Sequence, residues 1–453
     1  MGRLFGTDGI RGTANKEPLI PETAVRVGKA IGISCRKNGS KHKRVLIGKD
    51  TRLSGYMIET AISSGLCSVG VDPYLVGPLP TPGIAFLTVN MRAAYGIVIS
   101  ASHNPYFDNG IKIFDLLGFK LTNSQENSIE DMVLNPITRF DTFNGDIGKA
   151  FRIDDAIGRY VVHVKDVFPK YLSLDGLKIV IDCANGAAYK VAPWVFEELG
   201  ADVMLMNHEP SGLNINDNCG TVYPGQMAKK VKEVGAHLGI ALDGDADRVI
   251  LSDEKGDILF GDHILAICSI DGMREGTLRR NTAVTTVMST LALDMLLSSN
   301  GIKLVRTQVG DKHVVEYMRN SNYNFGGEQS GHFIFLDHAS SGDGILTSLK
   351  VLEVMVKKQR PLSELKRILT PNPQLLINIE TNGMNANSIT NHPKILKAVM
   401  LLEEKVGKPG RIFIRYSGTQ PLIRLLIEGK DESILHEVGK ELTDIVNRVK
   451  EGF

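Results

Sequence analysis

The feature that most constrains the fold is a pattern that occurs three times: a β-branched apolar run, a polar or glycine loop, a helical stretch, a glycine and another apolar run. This succession predicts a strand, a helix and a strand in βαβ order. The first copy begins at Val45 and has its glycine at Gly70, the second runs from Ile179 to Gly200, and the third ends at Gly301. We expect each glycine near a helix end, where a left-handed backbone costs little without a Cβ atom. Three such copies predict three successive α/β domains.

The last part of the chain has a different pattern. Residues 370–373 (TPNP) read as a linker, because the residue before each proline is disfavoured in a helix. After it, LLINIE, RIFIRYS and LIRLLIEG predict strands, and two longer segments have helical periodicity. A turn at EKGD places the end of the second domain near Glu254, and a loop-like stretch around 135–154 closes the first. The predicted domains are three α/β domains and a smaller α+β domain, at residues 1–153, 154–254, 255–370 and 371–453.

Charge and cysteine content exclude several classes of protein. With 52 Lys and Arg against 51 Asp and Glu, the net charge is +1, which argues against a nucleic-acid or anionic-membrane binder. The five cysteines are an odd number without CxxC spacing, so we expect a reducing compartment and no disulfide framework. No apolar run resembles a signal peptide or a membrane span. The sequence therefore predicts a soluble cytoplasmic protein.

A serine loop follows an apolar run in the first domain. Ser102 lies in ISASHNP, directly after GIVI, and DNGIK follows shortly afterwards. A serine hydroxyl accepts a phosphate when a base or a bound cation is nearby, and His103 and Lys112 are candidates for proton transfer. A turn whose hydroxyl bonds its own backbone has the same composition.

Three aspartates alternate in the second domain. Asp243, Asp245 and Asp247 come directly after the apolar run HLGIAL. Carboxylate oxygens suit Mg²⁺, and three crowded carboxylates repel one another without a cation. A calcium-binding EF-hand loop is a competing interpretation, since Glu254 falls at its twelfth position, but Arg248 stands at the sixth, where that loop needs glycine. A solvated acidic turn is the third.

A glycine-flanked loop in the third domain carries polar side chains at alternate positions. Glu328, Ser330 and His332 would point to one side of an extended segment. A carboxylate, a hydroxyl and an imidazole can bond the vicinal hydroxyls of a sugar. An ordinary polar hairpin has the same sequence character.

The fourth loop, RYSGTQP, follows a predicted strand in the last domain. Backbone N–H groups around Gly418, the hydroxyls of Ser417 and Thr419, and the guanidinium groups of Arg415 and Arg424 could form a phosphate cradle. The alternative is a β-turn with solvated arginines. Two more loops, at residues 6–12 and 48–52, combine glycine with basic residues and also fit solvated turns.

Together these loops resemble the α-D-phosphohexomutase family. The resemblance covers the whole chain, with one motif in each predicted domain and in the same order. It implies an α/β protein with three sequential mixed α/β domains plus a smaller C-terminal α+β domain around a central active-site cleft. The sequence departs from the family pattern at Gln420, where glutamate commonly follows SGT.

The resemblance also implies roles for individual residues. Ser102 would be the phosphorylated nucleophile, and its phosphate would share one Mg²⁺ per chain with Asp243, Asp245 and Asp247. Arg11, His103 and Lys112 would line the reaction centre, and Lys49 would add positive charge. The residues implied to bind the substrate are Arg248, Glu328, Ser330, His332, Arg415, Ser417, Gly418, Thr419 and Arg424.

The implied activity moves a phosphate between C6 and C1 of a hexose in two in-line transfers through the enzyme. LFGTDGIRG, ISASHNP and GGEQSGH most resemble the family members that act on glucosamine 6-phosphate. The resemblance therefore implies this substrate, with glucosamine 1,6-bisphosphate as activator and intermediate, in the synthesis of amino-sugar nucleotides and cell-wall precursors. The expected partner is this small phosphosugar, with neither nucleic acid nor membrane, and a homodimer is left open. The alternatives are a glucose or mannose phosphate substrate within the family, or a non-catalytic sugar-phosphate-binding protein.

Overall fold

The structure is a computed structural model that describes residues 4–6, 8–37, 43–135, 146–381, 386–416 and 422–450. Its strands form four sheets with helices packed around them. All five cysteines are free, as expected. Among the described helices, none combines the length and the apolar character that crossing a bilayer requires.

The first sheet carries the serine loop. Its strands are β1 (Ile10–Thr13), β2 (Arg44–Lys49), β3 (Asp72–Pro78), β4 (Tyr95–Ile99), β5 (Asp108–Phe114) and β6 (Phe151–Arg152), in the order β1-β5-β4-β2-β3-β6. The helices of this region are α1 (Pro21–Lys37), α2 (Ser54–Cys67), α3 (Thr81–Asn90) and α4 (Asn123–Leu134). Strand β4 is parallel to β2 and antiparallel to β5. Every residue of β4 is buried, because YGIVI is apolar throughout, and the chain turns into the serine loop where β4 ends.

The second sheet carries the aspartate loop. Its strands are β7 (Lys178–Asp182), β8 (Asp202–Met206), β9 (Leu238–Leu242), β10 (Val249–Asp253) and β11 (Ile258–Leu259), in the order β11-β10-β9-β7-β8. Helices α5 (Ala156–Lys165), α6 (Val191–Glu197) and α7 (Gly225–Val234) accompany it. Strands β10 and β11 form the hairpin predicted from EKGD, with Gly256 at φ +77°. The three aspartates lie in the turn between buried β9 and antiparallel β10.

The third sheet is small. Its strands are β12 (Thr282–Thr286), β13 (Lys303–Thr307), β14 (Phe325–Gly327) and β15 (Phe333–Phe335), in the order β13-β12-β14-β15. The helices of this region are α8 (Gly261–Arg274), α9 (Leu291–Ser299), α10 (Asp311–Ser321), α11 (Gly344–Lys358) and α12 (Leu362–Leu365). The loop with Glu328 and His332 joins β14 to β15.

The C-terminal region has an antiparallel sheet of three strands. They are β16 (Gln374–Glu380), β17 (Arg411–Tyr416) and β18 (Leu422–Glu428), in the order β16-β18-β17, with helices α13 (Ala386–Thr390), α14 (Pro393–Val406) and α15 (Glu432–Lys450). Helices α14 and α15 share an apolar core with β17 and β18. The predicted fold class, three mixed α/β regions followed by a smaller α+β region, is confirmed.

The chain divides into two compact units, and one of them is discontinuous. The first contains residues 1–287 and 304–368, and the second contains 288–303 and 369–453. Helix α9, which the sequence pattern assigned to the third α/β copy, therefore belongs to the second unit. The reason is Glu428, fully buried at the end of β18, which accepts hydrogen bonds from Thr290 Oγ1 at 2.5 Å and Leu291 N at 2.7 Å.

The three glycines of the repeated pattern have the expected conformation. Gly70, Gly200 and Gly301 have φ angles of +72°, +99° and +72°. Each follows a helix by a few residues and leads into the next strand. The left-handed backbone predicted for the end of each copy is confirmed.

Candidate active site

Ser102 is the first residue of the site, and its backbone is unusual. Its φ angle is +53°, in the left-handed region that residues with a Cβ atom rarely occupy. Its Oγ donates a hydrogen bond of 2.5 Å to Asp243 Oδ2, and His103 Nδ1 lies 3.4 Å from the same oxygen. The serine loop after β4 and the aspartate loop after β9 thus meet at their polar tips.

The three aspartates converge as predicted. One oxygen of each lies within 4.8 Å of the others, and all three residues are buried. The loop is a tight turn between antiparallel strands, not a loop between two helices, which removes the EF-hand interpretation. Arg248, the next residue, donates its backbone N–H to Asp243 Oδ1 at 3.1 Å and so closes the turn.

A divalent cation fits the donor atoms of this turn. Asp245 Oδ1 and Asp247 Oδ1 are buried and make no hydrogen bond, although Arg248 and His332 lie within ion-pair distance of the second oxygen. A buried carboxylate oxygen without a hydrogen bond is costly, and a bound cation would remove that cost. Burial raises the pKa of Asp243 well above its usual value, and the charges of Asp247 and Asp245 raise it further. Excess negative charge confined to a buried pocket is what Mg²⁺ would neutralise.

Lys112 offsets part of that charge. Its buried Nζ donates to Asp245 Oδ2 at 2.9 Å and Asp247 Oδ2 at 3.3 Å, and it lies 3.4 Å from Asp8 Oδ2. Burial favours the neutral amine, but these three carboxylates outweigh it and hold the pKa of Lys112 well above its usual value. Lys112 is therefore a fixed positive charge at the centre of the site.

His103 has the opposite electrostatic environment. Burial lowers the pKa of its imidazole to about 4, and the positive charges of Arg248 and Arg11 act in the same direction. The imidazole is therefore neutral at neutral pH. A neutral ring can accept a proton, whereas the ammonium of Lys112 cannot.

Asp8, to which no role was assigned from the sequence, connects Arg11 to Lys112. Asp8 pairs with both Arg11 and Lys120, and Lys120 Nζ also donates to Asp311 Oδ2 at 2.6 Å. A cavity of about 580 Å³ opens beside Lys120 and Asp311. Asp8 lies in the glycine-flanked loop at 6–12, so its sequence signal was present, while nothing local marked Lys120 or Asp311.

The loop between β14 and β15 differs from the extended segment that we predicted. Glu328 N donates to His332 O at 2.8 Å and Gly331 has φ +97°, so the chain reverses within a tight turn. Glu328 and His332 are buried on either side of the turn, while Ser330 is exposed near its tip. The three side chains therefore do not share one face, because alternation puts residues on one side only in an extended chain.

His332 connects this turn to the aspartates. Its Nδ1 lies 3.7 Å from Asp247 Oδ1, and its Nε2 lies 3.5 Å from Asp311 Oδ2. Glu328 Oε1 accepts the backbone N–H of Gly310 at 3.0 Å. His332 thus lies beside the aspartate turn, and Glu328 is bonded to the residue that precedes α10.

Lys49 is placed differently from the expectation that it adds charge to the cleft. Its buried ammonium pairs with Glu59 and lies 4.3 Å from the centre of the Tyr56 ring. Glu59 comes ten residues later, on helix α2, so the neighbouring sequence of Lys49 gave no sign of the pairing.

Two arginines beside the fourth loop lie opposite each other on neighbouring strands of the C-terminal sheet. Arg415 on β17 is the register partner of Arg424 on β18, and both are half-buried. Ser417, Gly418, Thr419 and Gln420 lie outside the described residues. The two cations therefore flank the loop in which we predicted a phosphate site.

Family models match the chain in four consecutive parts. They are phosphoglucomutase/phosphomannomutase alpha/beta/alpha domain I at residues 2–139, domain II at 158–256, domain III at 260–371 and the C-terminal domain at 376–445.

Curated relatives match at high identity over nearly their whole length. The chain is 53% identical to phosphoglucosamine mutase of Syntrophotalea carbinolica, over 98% of this chain and 97% of the relative. It is 54% identical to phosphoglucosamine mutase of an Anaeromyxobacter species, over 98% of this chain and 95% of that relative.

Solved structures share the fold at lower identity. A phosphoglucomutase/phosphomannomutase family protein from Burkholderia thailandensis has a TM-score of 0.83 at 23% identity, covering 99% of this chain and 98% of its own. N-acetylphosphoglucosamine mutase of Aspergillus fumigatus, solved with GlcNAc-6P and magnesium, has a TM-score of 0.70 at 18% identity, covering 98% and 96%.

Proposed function

The chain belongs to the phosphoglucomutase/phosphomannomutase family of α-D-phosphohexomutases, and from this premise we propose that it has phosphoglucosamine mutase activity. It interconverts glucosamine 6-phosphate and glucosamine 1-phosphate through phosphorylated Ser102 and a 1,6-bisphosphate, in a pathway that supplies amino-sugar nucleotides and cell-wall precursors. The observation that carries the proposal is the hydroxyl of Ser102, 2.5 Å from the first of three converging aspartates.

In the first transfer, phosphorylated Ser102 gives its phosphate to the C1 hydroxyl of glucosamine 6-phosphate. The bond from phosphorus to Ser102 Oγ breaks as the bond to the C1 oxygen forms, and the hydroxyl proton passes to a base. The bisphosphate then turns over, and its C6 phosphate returns to Ser102 Oγ. Two in-line transfers avoid any need for one phosphate to reach across the ring.

His103 is our candidate for the base. Its imidazole is neutral at neutral pH because burial lowers its pKa to about 4, and it lies beside the oxygen from which phosphate is transferred. Lys112 and Arg11 supply fixed positive charge, Lys112 beside Asp245 and Arg11 beside Asp8.

Asp243, Asp245 and Asp247 would hold Mg²⁺, one ion per chain, together with a phosphate oxygen on Ser102. When bound, Mg²⁺ supplies positive charge that offsets the negative charge of the phosphoryl oxygens. Arg248, whose backbone closes the aspartate turn, keeps its guanidinium beside Asp247, with Nε 3.9 Å from Asp247 Oδ1.

The remaining residues would hold the parts of the substrate that do not react. Glu328 and His332 would bond the sugar hydroxyls, with Ser330 at the exposed end of the same turn. The non-reacting phosphate would be held by Arg415, Ser417, Gly418, Thr419 and Arg424. We further propose a cytoplasmic protein whose partner is this phosphosugar, with no nucleic acid or membrane bound and with a homodimer left open.

The test is a rate measurement on glucosamine 6-phosphate, glucose 6-phosphate and mannose 6-phosphate, with Mg²⁺ and catalytic bisphosphate. Wild type, Ser102→Ala and the exposed-serine control Ser298→Ala are compared, and mass spectrometry locates the phosphate. We expect glucosamine 6-phosphate to be preferred, Ser298→Ala to match wild type and Ser102→Ala to be inactive. Preference for a neutral hexose would make the chain a phosphoglucomutase or phosphomannomutase, and no turnover on any substrate would favour a binding protein.

A further inference from the structure

The left-handed backbone of Ser102 has to be held by its surroundings. A non-glycine residue at φ +53° is in a sparsely populated conformation, and such a conformation persists only where other contacts fix it. Both backbone polar groups of Ser102 are bonded. Its N–H donates to Ser100 Oγ at 2.9 Å, and its carbonyl oxygen accepts bonds from two side chains.

The first of these side chains is Arg52, which is fully buried. Its Nη2 donates to Ser102 O at 2.9 Å and Asn104 O at 2.8 Å, and its Nη1 donates to the carbonyl oxygens of Pro105 and Asp108. Three of these acceptors belong to the serine loop, and the fourth is the first residue of β5, which follows the loop. A guanidinium has five N–H donors in a planar fork, and here four of them bind the serine loop and the start of the strand that follows it.

The fifth donor of Arg52 fixes the other end of the loop. Arg52 Nε donates to Asp50 Oδ2 at 2.8 Å, and the same oxygen accepts the hydroxyl of Ser100 at 2.6 Å. Ser100 Oγ in turn accepts the N–H of Ser102. The buried pair of Asp50 and Arg52 therefore controls both the N–H and the carbonyl of Ser102.

The second side chain comes from the aspartate-loop region of the fold. Asn216 Nδ2 donates to Ser102 O at 2.8 Å and Asn104 O at 3.0 Å, the two oxygens that Arg52 Nη2 also binds. The aspartate turn packs directly against Ser102 O and the Asn216 amide. A Cβ atom built on Gly244 would lie 2.6 Å from Ser102 O and 2.9 Å from Asn216 Nδ2, so only glycine fits there.

We propose that Arg52 and Asn216 are positioning residues that hold Ser102 in its left-handed conformation and thereby aim its Oγ at the aspartates. Together they form a clamp on the carbonyl oxygens of Ser102 and Asn104. Arg52 acts from the sheet that carries the serine, and Asn216 acts from the region that carries the aspartates, so the clamp sets the relative position of nucleophile and metal-binding side chains. The inference rests on the proposed role of Ser102.

Asn216→Gly is the most direct test. Asn216 has φ +59°, a conformation that glycine adopts without strain, so this substitution removes the amide and leaves the backbone unstrained. Asn207→Gly is the matched control, because Asn207 also has a left-handed φ of +47° and donates one amide bond, to Asp182 Oδ1, away from the serine loop.

The full-length variants are assayed with Mg²⁺, glucosamine 6-phosphate and catalytic bisphosphate, per mole of phosphorylated Ser102. We expect Asn216→Gly to lower kcat about 10- to 100-fold with KM within about threefold of wild type, because a small misplacement of a reacting group costs rate more than affinity. Asn207→Gly should stay within about twofold of wild type in both constants. The Asn207→Gly control shows how far a comparable loosening of the backbone by itself changes the two constants.

Arg52→Lys is a second test of the clamp. Lysine keeps the charge beside Asp50 but cannot span four carbonyl oxygens, so we expect a loss in kcat at least as large as that of Asn216→Gly. If Arg52→Lys does not fold, Asn216→Gly alone decides.

The outcomes separate the clamp from the proposed function. If wild type is neither phosphorylated on Ser102 nor active, the proposed function fails and the clamp with it. If wild type is active and Asn216→Gly has the same kcat, or changes only as Asn207→Gly does, the clamp is wrong and the function stands.

Discussion

Ser102 Oγ lies 2.5 Å from Asp243 Oδ2, although 141 positions separate the two residues in the chain. The contact joins the loops that follow two buried strands, β4 and β9, in two different sheets. The structure thus places the Ser102 hydroxyl beside a turn of three aspartates that could hold a metal ion.

Mg²⁺ should stabilise the protein through the aspartate turn. At a concentration about 100 times its Kd, a ligand of the folded state adds about 2.7 kcal/mol, so the Tm of wild type should rise with Mg²⁺. Asp247→Asn should lose most of this rise and most turnover, and exposed Asp217→Asn should keep both. An equal Mg²⁺-dependent shift in Asp247→Asn, measured by thermal unfolding, would contradict the metal assignment.

Arg415→Ala should weaken substrate binding more than it slows phosphorylation of Ser102 by bisphosphate. Losing a charge-assisted hydrogen bond costs about 1.5 to 3 kcal/mol, which is roughly a 10- to 150-fold rise in KM for the sugar phosphate. Arg448→Ala, on the exposed face of α15, is the control. Unchanged substrate affinity in Arg415→Ala would remove Arg415 from the phosphate site.

Stability should depend on pH through His103. Its folded-state pKa of about 4 lies below the usual value of 6.5, so between these pH values the unfolded chain binds one more proton than the folded chain. The free energy of unfolding should therefore fall as pH falls from 6.5 to 4, by up to about 1.4 kcal/mol per pH unit from this group.

Urea unfolding of metal-free protein across this pH range measures the effect. His103→Gln should show a shallower slope than wild type, and exposed His436→Gln should not. Parallel slopes in His103→Gln and wild type would show that this imidazole is not held neutral.

Glu428→Ala should destabilise the second unit strongly. The buried carboxylate pairs with Arg411 at 2.9 Å and caps the start of α9, and breaking a buried pair on one side costs about 3 to 5 kcal/mol. Hydrogen exchange of the β18 amides should show that the free energy of opening falls by this amount in Glu428→Ala. In the exposed-residue control Glu432→Ala it should change little. Unchanged exchange in Glu428→Ala would show that the buried pair adds nothing to stability.

The sequence predicted those parts of the site that are local in the chain. Ser102 and His103 are neighbours after one apolar run, and the three aspartates are close together after another, so periodicity and composition were enough to find each group. The βαβ pattern likewise predicted the sheets, because a strand and its following helix are continuous in sequence.

Contacts between buried polar side chains that are far apart in the sequence could not be predicted. Lys49 looked like a cation facing the cleft until the structure placed Glu59 against it. Asn216 lies in a stretch rich in asparagine and aspartate that reads as an ordinary loop, and only the fold brings its amide to the serine loop. The turn at 328–332 was misjudged because alternation was taken to mean an extended chain, whereas Gly331 permits a reversal.

The discontinuity of the second unit has a consequence for synthesis of the chain on the ribosome. Helix α9 emerges well before β16, β17 and β18, so its apolar residues and the hydroxyl of Thr290 must wait for Glu428 to be translated. Residues 304–368, which belong to the first unit, separate α9 from β18 in the sequence, and closing a contact over so long a stretch carries an entropy cost. A nascent chain stalled after Ile368 would expose α9 as a target for chaperones, and completion of β18 would be the event that hides it.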